Sequence, residues 1–159
     1  GKLGAKVAKV GLAFDMRVIA WSQNLADERA NELGVERVSK DVLFKSADLI
    51  SIHLVLSDRT TNLVGEAELK QMKSTAYLIN TSRGPIINEQ ALIKALRSGA
   101  IAGAALDVFD TEPLPIDHTL RQLKNIILTG HTGFLVKMLF MIFRVCIEIG
   151  FWELRGVAA

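Results

Sequence analysis

The stretch AYLINTSRGPIINEQALIKALRSGAIAGAALDVF, residues 76–109, contains a complete strand–helix–strand pattern. Its two apolar ends, residues 76–81 and 101–109, predict buried strands, because short apolar runs bounded by turn residues are typical of strands covered on both faces. Between them, residues 88–99 predict an amphipathic helix that begins at a capping asparagine and ends at a glycine. A helix between two such strands indicates a crossover connection and therefore a parallel sheet.

The same alternation extends in both directions from this unit. Asn24 is predicted to cap a helix at residues 25–33, and Gly34 is predicted to end it. No internal repeat, linker or low-complexity tract interrupts the sequence pattern, so we predict one α/β domain with a parallel sheet. The other predicted strands are residues 16–21, 35–38, 47–54 and 125–129, and the other predicted helices are residues 2–14, 40–45 and 66–72.

The composition excludes several classes of protein. The chain has 159 residues, of which 50% are hydrophobic, and its 19 basic and 17 acidic residues are interspersed, with a net charge of +2. Nucleic-acid binding is not expected, because the sequence has no long basic run to follow a phosphate backbone. The single cysteine, Cys146, cannot form an internal disulfide, and its apolar neighbours favour an inert core thiol. Since the N-terminus has no signal-peptide pattern, we expect a cytoplasmic protein.

Residues 134–152, FLVKMLFMIFRVCIEIGFW, are mostly apolar and about as long as a membrane span. Three charges interrupt the run: Lys137, Arg144 and Glu148 lie near one face of a helix because of their spacing. This pattern favours a helix that packs against the core or against a partner. A transmembrane helix is the less favoured alternative.

Three apolar, strand-like runs each stop at a polar cluster that contains one ionisable residue: Arg83, Glu112 and His131. Because the carboxyl ends of parallel strands meet at one edge of a sheet, these side chains are predicted to lie where open α/β sheets bind ligands. A guanidinium can bind a carboxylate through two parallel hydrogen bonds, and a histidine held by a carboxylate can carry a proton near neutral pH. The three residues therefore predict proton-coupled chemistry on a small carboxylated substrate.

Gly1-Lys2-Leu3-Gly4 opens the first predicted helix and contains two glycines three residues apart. Such glycines would let the backbone approach a pyrophosphate, whose charge the helix N-terminus favours. Taken alone, an ordinary helix start is the favoured interpretation, since the usual first glycine and the strand before it are absent from the sequence. The strand predicted at residues 16–21 improves the case, because it ends about 20 residues later, the spacing expected for a ribose-binding position.

Four runs of the sequence resemble the NAD-binding domain of the D-isomer-specific 2-hydroxyacid dehydrogenases. They are MRVIAWS, HLVLSDRTTNLVG, the strand–helix–strand unit continued through DTEPLP, and NIILTGHTG. The resemblance covers roughly residues 1–133 and implies a Rossmann-like doubly wound parallel sheet, incomplete at the N-terminus because the first strand is missing. It also implies that residues 1–159 are a dinucleotide-binding domain without its substrate domain, and that residues 134–159 form a divergent C-terminal helix.

The resemblance implies an oxidoreductase that transfers a hydride between a nicotinamide cofactor and a D-2-hydroxy acid or its 2-oxo acid. Arg83 matches the family's substrate-binding arginine, Glu112 the carboxylate paired with the catalytic histidine, and His131 that histidine. His131 would act as general acid in the reductive direction and as general base in the oxidative one. The alternative is a catalytically inactive fragment that binds a dinucleotide or dimerises.

The resemblance also implies a set of cofactor contacts, with NAD favoured and NADP as the alternative. Ser22 stands where an aspartate would bind both ribose hydroxyls, a task that serine performs weakly. Thr60 has a turn cap as its alternative role and Asp107 a structural turn, while His118 is expected in a surface loop. No metal site is expected. The implied contacts are Gly1, Lys2, Leu3, Trp21, Ser22, His53, Leu54, Val55, Thr60, Thr81, Ser82, Arg83, Asp107 and His131.

Three positions depart from the family's pattern: Gly130 and Val55 replace common prolines, and Asp15 replaces a glycine after a helix. Gly130 should loosen the histidine loop because it lacks the fixed φ angle of proline. A left-handed conformation at Asp15 would be less favourable than at glycine. The expected partners are a small 2-hydroxy or 2-oxo acid and a second copy of the chain or another surface that covers exposed apolar side chains; neither nucleic acid nor membrane is expected.

Overall fold

The computed structural model describes residues 1–132, in which helices and strands alternate along the chain. The helix expected at residues 134–159 lies outside the described residues. None of the five described helices is long and apolar enough to cross a membrane. These helices are α1 (Lys2–Ala13), α2 (Asp27–Glu32), α3 (Lys40–Ser46), α4 (Glu66–Gln71) and α5 (Glu89–Ser98). The strands are β1 (Ile19–Ala20), β2 (Glu36–Arg37), β3 (Leu49–Ile52), β4 (Tyr77–Asn80), β5 (Gly103–Leu106) and β6 (Ile126–Leu128), and 3₁₀ turns cover Gly84–Ile86 and Thr119–Gln122.

All strand pairs of the described chain are parallel, which confirms the α/β fold predicted from the alternating pattern. Four strands form one sheet in the order β3-β4-β5-β6, and β1 pairs with β2 in a separate two-stranded sheet. In the larger sheet, strands that are consecutive in sequence are also neighbours in space. The loops after β4, β5 and β6 therefore leave one edge of the sheet side by side.

Helix α5 begins and ends where the sequence predicts, because both of its caps act as expected. The Asn88 side chain accepts a hydrogen bond from the Ala91 N–H at 2.9 Å, and Gly99 is left-handed with a φ of 68°. At α2 the predicted cap Asn24 is wrong, since the N-cap residue is Ala26. Two acidic residues in the first turn of α2 favour this later start, because they interact well with the positive end of the helix dipole.

The main core lies between the four-stranded sheet and helices α3, α4 and α5. Leu78 on β4, Leu92 on α5 and Ile101 before β5 are almost fully buried in one apolar cluster. Burying each such side chain contributes roughly 1.5–3 kcal/mol of transfer free energy. On the opposite face of the sheet, Ile79 and Ala105 form a smaller cluster. Strands β4 and β5, which lead into the candidate site, are thus central to the core.

The turn after α1 places Asp15 in a left-handed conformation with a φ of 57°. Aspartate tolerates this region better than most residues, but less well than glycine, which has no Cβ. The less favourable backbone conformation expected at this position is therefore confirmed.

Candidate functional site

The loops that follow β4, β5 and β6 carry Arg83, Glu112 and His131, respectively. The three strands are adjacent and paired in register, so the three loops meet at the carboxyl edge of the sheet. The first two loops lie against each other, since a Cβ at Gly84, next to Arg83, would lie 2.1 Å from the carbonyl carbon of Phe109 in the loop that carries Glu112. The structure thus brings together the three residues that the sequence analysis singled out for chemistry.

His131 and Glu112 form a hydrogen-bonded pair, with Nδ1 of the imidazole 2.6 Å from Oε2 of the carboxylate. The other carboxylate oxygen, Oε1, accepts a hydrogen bond from the Phe109 N–H at 3.0 Å. With both of its oxygens engaged, the carboxylate holds one orientation and favours the imidazole tautomer that carries a proton on Nδ1. Nε2 is then the ring nitrogen that can exchange a proton with a ligand, and 43% of the His131 side chain is exposed.

The electrostatic surroundings keep Glu112 ionised at neutral pH. Partial burial acts to raise the pKa of this carboxyl group, but the hydrogen bonds from His131 and the Phe109 N–H, with the charges of His131 and Arg83, outweigh burial and lower the pKa. The ionised carboxylate accepts a hydrogen bond from Nδ1 of His131. The pair can therefore hold a proton at Nε2 and donate it to an oxygen atom, which is general-acid chemistry.

Asp107, directly after β5, holds the backbone around His131. Its main-chain carbonyl accepts a hydrogen bond from the His131 N–H, and its Oδ1 accepts one from the Thr132 N–H, both at 2.9 Å. The Thr129 hydroxyl donates to the same Oδ1. These bonds hold His131 in a left-handed conformation with a φ of 54°, which is uncommon outside glycine. They support the structural-turn alternative for Asp107, and its contact with a nicotinamide stays a prediction.

Arg83 is exposed, and its Nη1 donates to the Ser82 carbonyl oxygen at 2.6 Å. The buried side chain of Asn80, the last residue of β4, bonds to this loop twice. Its Oδ1 accepts from the Ser82 N–H at 3.0 Å, and its Nδ2 donates to the Arg83 carbonyl oxygen at 2.8 Å. The sequence analysis missed Asn80; the available signal was an amide residue at the end of an otherwise apolar strand.

Gly84 brings the Arg83 loop against the loop that carries Glu112. A Cβ atom at Gly84 would lie 2.1 Å from the carbonyl carbon of Phe109, far inside any van der Waals contact. Only glycine permits this approach, because it has no Cβ. The sequence analysis missed this residue as well, although a glycine between arginine and proline after a strand indicates a constrained turn.

A cleft of about 440 Å³ lies beside the His131–Glu112 pair. Both residues of the pair line it, together with the apolar side chains of Leu114 and Leu128. Arg121 also lines the cleft, but two of its guanidinium nitrogens are engaged: Nε donates to the Pro115 carbonyl oxygen and Nη2 to the Leu114 carbonyl oxygen, both at 2.8 Å. The cleft has room for a small organic acid, but Arg83 does not line it.

The N-terminus of α1 presents a surface suited to an anion. Gly1, Lys2 and Leu3 begin this 12-residue helix, and its first turn contains no acidic residue. Since a helix N-terminus attracts negative charge, these residues fit the pyrophosphate of a dinucleotide.

His53, just after β3, lies beside this helix start, since a Cβ at Gly4 would be 3.5 Å from the His53 Cβ. Burial lowers the pKa of His53, which favours the neutral imidazole near pH 7. Its Nε2 lies 2.9 Å from Oγ of Ser51. Its Nδ1 is buried without a hydrogen-bond partner among residues 1–132, which leaves one polar atom for a cofactor to satisfy.

Trp21 and Ser22 follow β1, where the ribose-binding position is predicted. The Lys40 ammonium lies 5.9 Å from the centre of the Trp21 ring. It also donates to Glu68 Oε1 at 2.8 Å and to the Leu63 carbonyl oxygen at 2.9 Å. Because this nearby cation is already paired with a carboxylate, it is poorly placed to bind a 2′-phosphate, which favours NAD over NADP.

Thr60 has the geometry of a turn cap. Its hydroxyl oxygen accepts from the Ser57 N–H and donates to the Val55 carbonyl oxygen, both at 2.8 Å. These bonds support the turn-cap alternative weighed for this residue. Val55 is exposed, whereas Leu54 packs against the main core.

The other predicted contacts after β4 are Thr81 and Ser82, both half-buried. The Ser82 hydroxyl donates to the Ile52 carbonyl oxygen at 2.8 Å, which ties the loop after β4 to the end of β3. The two loops that would face a cofactor are therefore linked. The cofactor roles of these residues stay predictions.

His118 lies in the loop between β5 and β6, and its side chain is partly buried and bonded at both ring nitrogens. Its Nε2 lies 3.2 Å from Oε1 of Glu89, and its Nδ1 accepts a hydrogen bond from the Leu120 N–H at 3.3 Å. Burial raises the pKa of Glu89 and that of Asp110 nearby. This cluster joins the loop after β5 to α5. The part of the chain that the structure describes contains no group of three or more histidine, cysteine, aspartate or glutamate residues that could hold a metal.

Comparison with known proteins places this geometry in context. Residues 1–133 match the profile of the D-isomer specific 2-hydroxyacid dehydrogenase family, NAD binding domain. The glyoxylate reductase of Aeropyrum pernix is 50% identical over 133 residues, which are 84% of this chain and 40% of the relative. The glyoxylate reductase of Korarchaeum cryptofilum is 43% identical over the same shares. The chain therefore spans about 40% of the length of these curated relatives.

Solved structures of D-2-hydroxyacid dehydrogenases are also similar to this chain. A D-lactate dehydrogenase from a Sporolactobacillus species superposes with a TM-score of 0.79 at 36% identity, covering 86% of this chain and 44% of that one. An NAD-complexed D-isomer specific 2-hydroxyacid dehydrogenase from Lactobacillus delbrueckii ssp. bulgaricus superposes with a TM-score of 0.77 at 33% identity, covering 94% of this chain and 51% of that one.

Proposed function

The chain belongs to the D-isomer specific 2-hydroxyacid dehydrogenase family, and residues 1–133 match the family's NAD-binding domain. We therefore propose that it is the cofactor-binding domain of an oxidoreductase that transfers a hydride between NAD and a D-2-hydroxy acid or its 2-oxo acid. The relatives named glyoxylate reductase make glyoxylate the first substrate to test. The residues at the carboxyl edge of the larger sheet support this proposal.

Each residue of the trio has a role that its contacts support. When bound, the nicotinamide supplies the hydride chemistry. In the reductive direction His131 donates a proton from Nε2 to the carbonyl oxygen that becomes the hydroxyl, and in the oxidative direction it takes that proton back. Glu112 holds Nδ1 at 2.6 Å and stabilises the imidazolium. Arg83 binds the substrate carboxylate through its planar guanidinium.

The observation that carries the proposal is the Glu112 carboxylate, whose two oxygens bind one imidazole nitrogen and one backbone N–H. A carboxylate fixed in this way sets the tautomer and the direction of the imidazole, as a general acid–base residue requires.

For the cofactor, we propose that the α1 N-terminus binds the pyrophosphate and that the loops after β1, β3 and β4 contact the rest of NAD. The lack of acidic residues in the first turn of α1 supports this placement, and so does the buried Nδ1 of His53, which has no hydrogen-bond partner among residues 1–132. The proposed contacts are the set implied by the resemblance: Gly1, Lys2, Leu3, Trp21, Ser22, His53, Leu54, Val55, Thr60, Thr81, Ser82, Arg83, Asp107 and His131. NADP is the alternative cofactor.

A second candidate function is a catalytically inactive fragment that binds a dinucleotide or dimerises. It is favoured by α1, which has no buried residue in the described structure and exposes Leu3 and Phe14. A surface of this kind suits a second copy of the chain. In both candidates the chain acts as one dinucleotide-binding domain, and we place it in the cytoplasm because its cysteine content suits a reducing compartment.

The proposal is tested by titrating the chain with NADH, followed through NADH fluorescence, and then titrating oxamate, an analogue of a 2-oxo acid, into the complex. We expect weak NADH binding, with a Kd of about 1 mM, binding of oxamate, and negligible glyoxylate reduction by the isolated chain. Arg83→Lys should weaken oxamate binding about tenfold, since lysine cannot make the bidentate contact.

Arg17→Lys is the matched control, because Arg17 pairs with Glu36 on the exposed β1–β2 side. It should leave both affinities unchanged. Absence of any NADH signal at millimolar concentration would refute the proposal. Binding of NADH without any response to oxamate would favour the inactive dinucleotide-binding fragment, and rapid His131-dependent turnover would contradict the expected inactivity of the isolated chain.

A further inference from the structure

Asn80 and Asp107 are the buried polar or charged residues of the described chain, and each is 1% exposed. Asn80 ends β4, Asp107 follows β5, and the Asp107 N–H donates to the Asn80 carbonyl oxygen at 3.0 Å. A buried amide or carboxylate is unfavourable unless hydrogen bonds replace its lost contacts with water. Asp107 holds the His131 loop. The hydrogen-bond partners of Asn80 show which loop the second buried polar side chain holds.

Both polar atoms of the Asn80 side chain bind the loop that carries Arg83. Oδ1 accepts from the Ser82 N–H at 3.0 Å, and Nδ2 donates to the Arg83 carbonyl oxygen at 2.8 Å. The loop is therefore bonded on both sides of the peptide that joins these two residues. Immediately after it, Gly84 packs against the Phe109 backbone, so the chain is confined at both ends of Arg83.

We propose that Asn80 is a positioning residue for Arg83: its amide fixes the main chain from which the guanidinium reaches the carboxylate of a 2-oxo acid. This inference rests on the proposed function, in which Arg83 binds that carboxylate. Bidentate binding needs the guanidinium plane in one place, and a small displacement of a positioned group reduces its effect strongly. An exposed arginine on an unanchored loop would sample many positions.

The amide of Asn80 suits this task better than other side chains of similar size. The loop presents one N–H donor and one carbonyl acceptor, and an amide offers the matching acceptor and donor on a single planar group. Aspartate keeps the acceptor for the Ser82 N–H but sets an oxygen against the Arg83 carbonyl oxygen. Alanine removes both bonds, and water can reach the freed groups because Ser82 is half-buried and Arg83 is exposed.

The chain contains a matched control, Asn125. Its Nδ2 donates to the carbonyl oxygens of Leu96 and Ala102 at 3.1 and 3.3 Å, so it also anchors backbone from a partly buried site. Asn125 precedes β6 and therefore lies at the amino edge of the sheet, opposite the candidate site. A general loss of stability should appear in variants of both asparagines, whereas a loss of Arg83 position should appear only at Asn80.

The test compares Asn80→Ala and Asn80→Asp with Asn125→Ala and Asn125→Asp. For each variant we measure the thermal midpoint, the NADH affinity, the oxamate affinity of the NADH complex and the amide hydrogen exchange of Ser82. Both Asn80 variants should bind oxamate about tenfold more weakly than the unaltered chain. Their loss of NADH affinity should be smaller, because most of the proposed NADH contacts lie outside the Arg83 loop. Exchange at Ser82 should accelerate in Asn80→Ala only, since aspartate retains the acceptor. Both Asn125 variants should keep oxamate affinity and Ser82 exchange, whatever their thermal midpoints.

The outcomes separate this inference from the proposed function. If the unaltered chain binds oxamate and the Asn80 variants bind it equally well, the positioning role is overturned. If the unaltered chain binds NADH but not oxamate, the role of Arg83 in the proposed function fails, and hydrogen exchange then decides the inference. Faster exchange at Ser82 in Asn80→Ala but not in Asn125→Ala supports the anchored loop, and equal exchange in the two variants overturns it.

Discussion

The two sheets of the described chain differ in how their ends are held. At the carboxyl edge of β3–β6, buried polar side chains bond to the loops that carry Arg83 and His131. In the β1–β2 sheet each strand has two residues, and exposed ion pairs such as Arg17–Glu36 link the surrounding segments. The difference teaches that the loops carrying the proposed proton-transfer and carboxylate-binding residues are held by buried contacts. The segments around β1 and β2, proposed to contact the far end of a dinucleotide, are held by solvent-exposed ones.

This difference has an energetic side. A hydrogen bond to a buried group is expensive to lose because the group left behind has no water to replace its partner. Removing an exposed ion pair costs little free energy of unfolding, since water and salt screen both charges. Substitutions at the site edge should therefore have much larger effects on the free energy of unfolding than substitutions around β1 and β2.

The largest effect is expected for Gly84→Ala, because the new Cβ would lie 2.1 Å from the Phe109 carbonyl carbon. Backbone atoms cannot move aside as a flexible side chain can, so the variant should lose about 3 kcal/mol of unfolding free energy or more. Urea denaturation followed by circular dichroism measures this loss.

Gly99→Ala is the control for the same change of residue. A Cβ at Gly99 meets no atom within 4 Å, but its φ is 68°, so only backbone strain is added. That strain should cost about 1 kcal/mol. Equal losses of unfolding free energy in the two variants would show that the close approach of Gly84 to the Phe109 backbone does not stabilise the carboxyl edge of the sheet.

A smaller, pH-dependent effect is expected for Glu112→Gln. The folded-state pKa of Glu112 lies below its ordinary value of 4.5, so its contribution to stability is complete above that value and is lost as the pH falls through the lowered pKa. Near pH 6, the free energy of unfolding of the unaltered chain should therefore exceed that of the variant by at most about 1 kcal/mol, since the His131–Glu112 pair is partly solvent-exposed.

The two unfolding free energies should converge when the pH is lowered well below 4.5. Denaturation curves at several pH values measure this, and Asp117→Asn, at an exposed loop residue, controls for the change in net charge. A difference that stays constant across the acid range would mean that the ionised carboxylate adds nothing to the folded state.

The smallest effect is expected for Arg37→Ala, which removes the 3.0 Å ion pair with Asp27 beside the β1–β2 sheet. Both side chains are exposed, so the loss should be about 0.5 kcal/mol and should shrink further in high salt. Thermal unfolding at low and high salt measures it. A loss as large as that of Gly84→Ala would remove the proposed contrast between the two sheets.

Much of the fold follows from local patterns. The strand–helix–strand unit at residues 76–109 appears with its predicted caps, because Asn88 and Gly99 act through bonds and backbone angles within a few residues of themselves. The cap of α2 was predicted wrongly at Asn24, since several polar residues compete at that turn and the actual N-cap, Ala26, has no side-chain cap bond. The predicted strands were longer than the observed ones, because apolar character continues beyond the last ladder hydrogen bond.

The candidate site shows the limit of such patterns. Arg83, Glu112 and His131 could be singled out from the sequence because each ionisable residue ends an apolar run. Asn80 and Gly84 could not, because their importance comes from contacts with loops and strands elsewhere in the chain. Likewise, the partner of His118 is Glu89, 29 residues away, which its own neighbours do not indicate.

By itself the sequence determined the parallel α/β fold, the family and the three residues that meet at the carboxyl edge, because residue type and spacing act locally and strand direction then brings the strand ends together. The tertiary structure alone decided the 2.6 Å contact of His131 with Glu112, the left-handed backbone of His131 and the bonds from Asn80 and Asp107 that hold the two loops. These features depend on distances between segments remote in sequence, and burial gives them their strength by excluding the water that would otherwise compete.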